Sequence, residues 1–154
     1  MVPDLAGLLR SLVDGDVRFV VIDGIAVAAH VAVRATEDVD LVPDPDAGNI
    51  RSLITVLEHL ESRLLLNPER GIDAEVKSGL LSGRNLTVTT NRGDLDVVQG
   101  LPGVPPFPTL LAESVEVEPF DIRFRVCSRG HLVAMKRARG AAIDLADVER
   151  LESS

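Results

Sequence analysis

The chain has no tryptophan, no tyrosine and only four phenylalanines. A single-strand nucleic-acid platform needs successive aromatic faces for the bases to stack on, so that class is excluded. The single cysteine, Cys127, has no partner for an internal disulfide, which fits a reducing cytoplasm. It lies in an apolar, arginine-flanked stretch and reads as packing, not as a nucleophile. No apolar run approaches the ~20 residues of a membrane helix. The opening Met1-Val2-Pro3-Asp4 lacks the basic segment that begins a signal peptide. There is no excess of positive charge either: 16 Lys and Arg against 24 Asp and Glu leave a net charge of −8. Bulk electrostatics therefore does not draw the whole surface to nucleic acid.

What is present is the composition of an ordinary globular protein, 45% hydrophobic and 26% charged. Its 154 residues suit a single domain over 1–154, with one well-buried core. The charge is uneven. Residues 122–140 carry six bases (Arg123, Arg125, Arg129, Lys136, Arg137, Arg139) and no acid, while acids collect on either side. Two readings stand: a basic wall facing an anionic substrate, or a solvated helix face paired with the neighbouring acids.

The most informative stretch is Phe19-Val20-Val21-Ile22-Asp23-Gly24-Ile25-Ala26, followed by Arg34-Ala35-Thr36-Glu37-Asp38-Val39-Asp40-Leu41-Val42. An apolar, β-prone run stops at a glycine, and a second such run carries two aspartates one residue apart. Strand alternation places Asp38 and Asp40 on one face and Val39 and Leu41 on the other. Adjacent carboxylates repel unless a cation lies between them. Oxygen ligands of this kind suit Mg²⁺, which takes one or two carboxylates and completes its shell with water and substrate phosphates. Gly24 would open a helix whose N-terminal amides can receive those phosphates. A plainer reading of Asp38 and Asp40, turn chemistry before Pro43, stands beside this one.

The remaining pattern alternates. Residues 3–13 carry a helical apolar stripe, 18–22 form a strand, 24–33 a buried helix and 38–42 a strand. Asp46 or Asn49 caps a helix through Leu53, Leu57 and Leu60. Short strands are expected at 73–77 and 85–90, and another at 94–98, where Asp94 and Asp96 share a face. Residues 100–108, rich in Gly and Pro, read as a loop that orders around a substrate. A short helix capped by Thr109 and a strand over 121–126 follow. Ser128 then caps a helix over 129–139 that Gly140 ends. A last helix over 141–151 turns Ile143, Val148 and Leu151 inward. The predicted fold class is α/β (α+β): a mixed sheet flanked by helices.

Gly24, a thirteen-residue gap, Asp38-Val39-Asp40 and a later strand aspartate together resemble the nucleotidyltransferase superfamily of the DNA polymerase β type. The surrounding Ile22-Asp23-Gly24-Ile25-Ala26, Arg34-Ala35-Thr36 and Leu132-Val133-Ala134-Met135-Lys136-Arg137 resemble its AbiEii/MenT-like branch, which includes toxins of bacterial toxin–antitoxin systems. The resemblance implies the minimal nucleotidyltransferase fold and transfer of NMP from an NTP to an acceptor hydroxyl. That acceptor would be a tRNA end, a protein or a small molecule. It implies Mg²⁺ or Mn²⁺ as cofactor, no membrane, and a cognate antitoxin as a candidate partner. Asp38, Asp40 and Asp96 match the catalytic, metal-binding carboxylates, with Asp94 as runner-up to Asp96. Gly24, Lys136 and Asp144 match nucleotide-binding positions. Taken singly, Lys136 also reads as a surface lysine and His30 as a packed histidine.

The chain departs from the family pattern at two places. Asp23 and Ile25 flank Gly24 where two small residues usually stand together, and a carboxylate there repels a triphosphate. The basic run expected after the lysine helix is replaced by Ala141-Ala142-Ile143-Asp144. The metal half of the motif is thus complete and the triphosphate half depleted. The alternative implied is a non-catalytic or weakly active binding partner in a two-gene module.

Overall fold

The computed structural model describes residues 3–26 and 38–153. The expected helix over 24–33 lies largely outside these residues, and only 24–26 are seen to be helical. His30, Arg34 and Thr36 also fall outside.

The chain order is α1 (Leu5–Asp14), β1 (Phe19–Ile22), β2 (Asp38–Pro43), α2 (Ala47–His59), β3 (Arg63–Leu64), α3 (Ala74–Leu81), β4 (Leu86–Thr90) and β5 (Gly93–Val97). Then come α4 (Phe107–Glu113), β6 (Val115–Val117), β7 (Phe124–Val126), α5 (Arg129–Arg139) and α6 (Ala142–Ser153). The strands form one mixed sheet in the order β3-β4-β5-β2-β1-β7-β6. β1 runs antiparallel to β2 and parallel to β7, and β2 runs parallel to β5. The predicted α/β class and mixed sheet are what the structure has.

Alternation decides which side of the sheet is core. Val39, Leu41, Val88, Leu95 and Val97 are fully buried, and they join Leu8, Leu12, Leu53 and Leu57 of α1 and α2 in one apolar cluster. The opposite side chains of the same strands, Asp38, Asp40, Thr87, Asp94 and Asp96, are half-buried or exposed. One face of the sheet is therefore sealed by helices, and at β2, β4 and β5 the other stays polar. Asn49 locks the first two strands together. Its Oδ1 accepts from the Arg18 amide at 2.7 Å, and its Nδ2 donates to the Arg18 and Asp44 carbonyls. The cap of α2 is thus Asp46, which accepts from the Asn49 amide.

Three local expectations are corrected. Residues 73–77 are not a strand: Asp73 accepts from the Val76 amide and caps α3, an N-cap cue that the short apolar pattern obscured. The helix placed after Thr109 starts earlier, at Phe107 behind Pro106. Ile143 faces out, 57% exposed, because α6 turns Asp144 and Asp147 inward instead.

Candidate active site

Register builds the site. Asp38 pairs with Asp94 and Asp40 with Asp96 across the parallel β2–β5 ladder. All four carboxylates share a face, so they form a two-by-two grid whose strands lie about 4.8 Å apart. Asp94 and Asp96 sit on the β4–β5 hairpin, as their turn-flanked sequence suggests. Ile22 pairs with Asp40 at the end of β1, which brings the following residue, Asp23, to the edge of the grid.

Among the described residues, Asp40 is crowded by like charges. Burial first, then the Asp38, Asp23 and Asp96 carboxylates, push Asp40 up to about 8, against the pull of Arg139. A like-charged pair at ~5 Å costs roughly 3 kcal/mol at an effective dielectric of ~20, which a cation bound beside Asp40 would relieve. Thr87, the cross-strand partner of Asp96, donates its hydroxyl to Asp96 Oδ1 at 2.8 Å. That bond fixes the carboxylate plane and leaves the second oxygen for other work.

Next to the grid lies a second cluster with the opposite balance. Lys136, 1% exposed, contacts Asp23, Asp144 at 3.3 Å and Asp147 at 3.0 Å. Arg139, one turn on, reaches Asp23 Oδ2 at 2.8 Å and Asp144 Oδ2 at 2.9 Å. Burial pushes Asp23 up, but the hydrogen bonds from Arg139 and Lys136 outweigh it and hold its carboxyl below the usual range. The Arg139 hydrogen bond brings Asp144 down to about 2 despite its burial. Ser128 caps α5 through the His131 amide, and Gly140, at φ 69°, closes it in the left-handed conformation that glycine adopts freely. These two caps fix where Lys136 and Arg139 point.

Asp23 itself sits at φ 63°, a left-handed position that Asp tolerates better than most residues. It ends β1 just before helical Gly24. Its charge is neutralised from two sides, so the expected repulsion of a triphosphate is largely cancelled. Ala141 and Ile143, which stand in place of the expected basic run, face solvent. Arg139 supplies a guanidinium at the pocket one turn earlier. The cue was its spacing of three from Lys136, which puts both on one helix face.

Between the two clusters opens a cleft of about 180 Å³, lined by Asp40 and Asp96 on the sheet, Asp23, and Lys136 and Arg139 on α5. Its other wall is aliphatic. The loop over 98–104 forms the rim. Asn85 Oδ1 accepts from the Gln99 and Gly100 amides, and Gln99 Nε2 donates to the Leu80 and Arg84 carbonyls. These bonds anchor the loop where it leaves β5, at Gln99 and Gly100. Cys127 is buried, and burial pushes its thiol up to about 12, which suits packing.

Hard carboxylate oxygens, and the crowding of like carboxylates around Asp40, fit a divalent cation of the Mg²⁺ type. Among the described residues, no three His, Cys, Asp or Glu side chains already close to metal-holding geometry. Mg²⁺ does not need such a cage, since substrate phosphates supply part of its shell. Asp40 and Asp96, flanked by Asp38, are the residues suited to hold it.

No protein-family model and no curated protein matches the chain. Solved structures do. The crystal structure of the lincosamide antibiotic adenylyltransferase LnuA, lincomycin-bound, superposes with a TM-score of 0.66 at 15% identity, covering 97% of this chain and 95% of that one. ANT(2")-Ia in complex with adenylyl-2"-tobramycin gives 0.61 at 11%, covering 97% and 86%. An antigenic nucleotidyltransferase-like protein from Paracoccidioides brasiliensis gives 0.58 at 18%, covering 94% and 71%. At such identities the likeness is one of fold, and the fold this chain shares is that of the nucleotidyltransferases.

Proposed function

We propose that the protein transfers NMP from an NTP to an acceptor hydroxyl, with the cleft between β2, β5 and α5 as the active site. The observation that carries this reading is the paired Asp40 and Asp96 lining the cleft, with Asp38 and Asp94 beside them on the same strands and Asp40 pushed up to about 8 near a cationic helix end. Mg²⁺ or Mn²⁺, held by Asp40 and Asp96 with Asp38, would neutralise the phosphates and lower the acceptor's pKa. Asp96, fixed by Thr87, takes the acceptor proton. The acceptor oxygen bonds to the α-phosphorus, and the bond to the β-phosphate breaks to release pyrophosphate. Arg139 binds the phosphates, Lys136 stands behind it, and Gly24 with the amides after it lies at the phosphate end. Asp144 positions Arg139 through its hydrogen bond.

The acceptor that fits best is a small molecule carrying hydroxyls and positive charge. An acidic face on a chain of net charge −8 repels the polyanionic backbone of tRNA. Of the solved structures named above, LnuA is lincomycin-bound and ANT(2")-Ia is in complex with adenylyl-2"-tobramycin. A tRNA end, a protein hydroxyl and an antitoxin partner, as in the AbiEii/MenT-like branch, are the other arms of the test. A second reading, a non-catalytic partner in a two-gene module, is favoured by Lys136, whose ammonium is already committed to three carboxylates.

The test incubates the protein with each α-labelled NTP, Mg²⁺ and, separately, amino-sugar antibiotics, total cell RNA and total protein. Label on a small molecule, lost in Asp96→Asn, is the expected result. No transfer to any acceptor, or equal transfer by the variant, would overturn the enzyme reading in favour of the binding partner.

A further inference from the structure

The cleft's aliphatic wall has no role in the chemistry just described. Val98, Leu101 and Val104 come from the rim loop, and Leu132, Met135 and Ala138 from α5. The three helix residues recur at intervals of three, so they form one stripe, and Lys136 and Arg139 follow at its edge. One helix thus presents an apolar strip and a cationic end to the same cleft. The shape suits a ligand with a flat ring at one end and a polyanion at the other.

Resting on the transfer reading, we infer that this strip is the seat of the nucleobase, and that it grips the base by its faces without reading its edges. Two observations support this. Among the described residues, every wall side chain opposite the carboxylates is aliphatic, with no Asn, Gln, Ser or Thr to pair with exocyclic groups. Four of the loop's amides are also engaged: Val98 donates to Leu41, Gln99 and Gly100 to Asn85, and Val104 to Leu101, while Pro102 has none.

The loop also approaches α5 closely. Gly103, at φ 81°, lies so close to α5 that an added Cβ would stand 2.6 Å from the Ala138 Cβ. Loop and helix thus meet closely at this point, and only glycine fits there. A wall of this kind gains from burying any base and distinguishes bases weakly, since only sites built to hydrogen-bond an edge reject the wrong one strongly. The protein therefore takes purine and pyrimidine triphosphates alike.

The experiment is calorimetric titration of the full chain, with Mn²⁺ present, by ATP, GTP, CTP, UTP and inorganic tripolyphosphate. The expected result is four NTP affinities within about tenfold of one another, all tighter than tripolyphosphate. Leu101→Ser, at a position 46% exposed and so tolerant of change, should weaken all four NTPs together by several-fold. Tripolyphosphate binding should be unchanged. A preference of a hundredfold or more for one base would overturn the edge-blind seat while leaving the transfer reading in place. NTPs binding no tighter than tripolyphosphate, or unaffected by Leu101→Ser, would do the same to the base seat itself. Absence of binding by all five ligands would overturn the transfer reading and this inference with it.

Discussion

The grid on β2 and β5 and the cluster around Lys136 are built from the same residue, aspartate, at adjoining positions, and their electrostatics are opposite. In the cluster, Asp23, Asp144 and Asp147 surround one ammonium, Arg139 adds a guanidinium, and Arg150 brings a second to 3.8 Å from Asp147. Asp144 is accordingly held at about 2. In the grid, four carboxylates face one another across a strand pair, and Asp40 rises to about 8. A buried charge cluster that balances itself holds structure together; one that does not is a place for something to bind.

The largest effect is expected from removing the balancing charge. Lys136→Met leaves three carboxylates around an apolar stem, and breaking a buried ionic group of this kind costs about 3–5 kcal/mol. Urea unfolding should show the midpoint falling accordingly. A loss below about 1 kcal/mol would mean that the cluster does not hold α5 and α6 together.

The grid should respond in the reverse direction. Asp40 is raised in the fold above its ordinary 3.8, so the folded state holds a proton that the unfolded chain releases. Its contribution to stability is full below about pH 4 and is lost as pH rises to about 8. Asp40→Asn should remove that loss and melt above the wild type at pH 8, by about 2–4 °C for each kcal/mol recovered. Asp144, lowered in the fold, contributes stability above its ordinary value that is lost as pH falls from about 4 towards 2. Melting curves from pH 2 to 9 separate the two. A wild-type profile flat between pH 4 and 8 would break the contrast.

The smallest effect is at Thr87. Thr87→Val keeps the shape and removes the hydroxyl donated to Asp96, a bond to a charged group worth about 1.5–3 kcal/mol. In the native protein that bond is half exposed, so transfer should slow by about tenfold with little change in melting. Thr87→Ser should restore it. An equal defect in both variants would show that packing, not the hydroxyl, matters there.

How legible this was depends on the range of the cue. Asp38 and Asp40 sharing a face follows from strand alternation within three residues, as does the Asp94–Asp96 pair. That the two pairs lie side by side requires a parallel ladder between strands over fifty residues apart, which no local pattern encodes. The depth of Lys136 was hidden for a similar reason. The apolar residues of α5 face the sheet and the cleft, so the side that carries Lys136 is set by what α6 offers, and α6 offers Asp144 and Asp147. Their spacing of three, matched by Lys136 and Arg139, was the available sign. It was overridden by the rule that apolar residues such as Ile143 go inside. Asp23 read as a defect because its two cations arrive from more than a hundred residues later.

The central claim is that the carboxylate grid awaits a divalent cation and the phosphates that come with it. The direct measurement is Mn²⁺ binding followed by electron paramagnetic resonance, with and without ATP, for the wild type and an Asp38→Asn, Asp40→Asn double variant. The expected result is Mn²⁺ bound by the wild type, more tightly with ATP, and released by a variant whose fold is unchanged by circular dichroism. Equal Mn²⁺ binding by both proteins, or none by the wild type even with ATP, would contradict it.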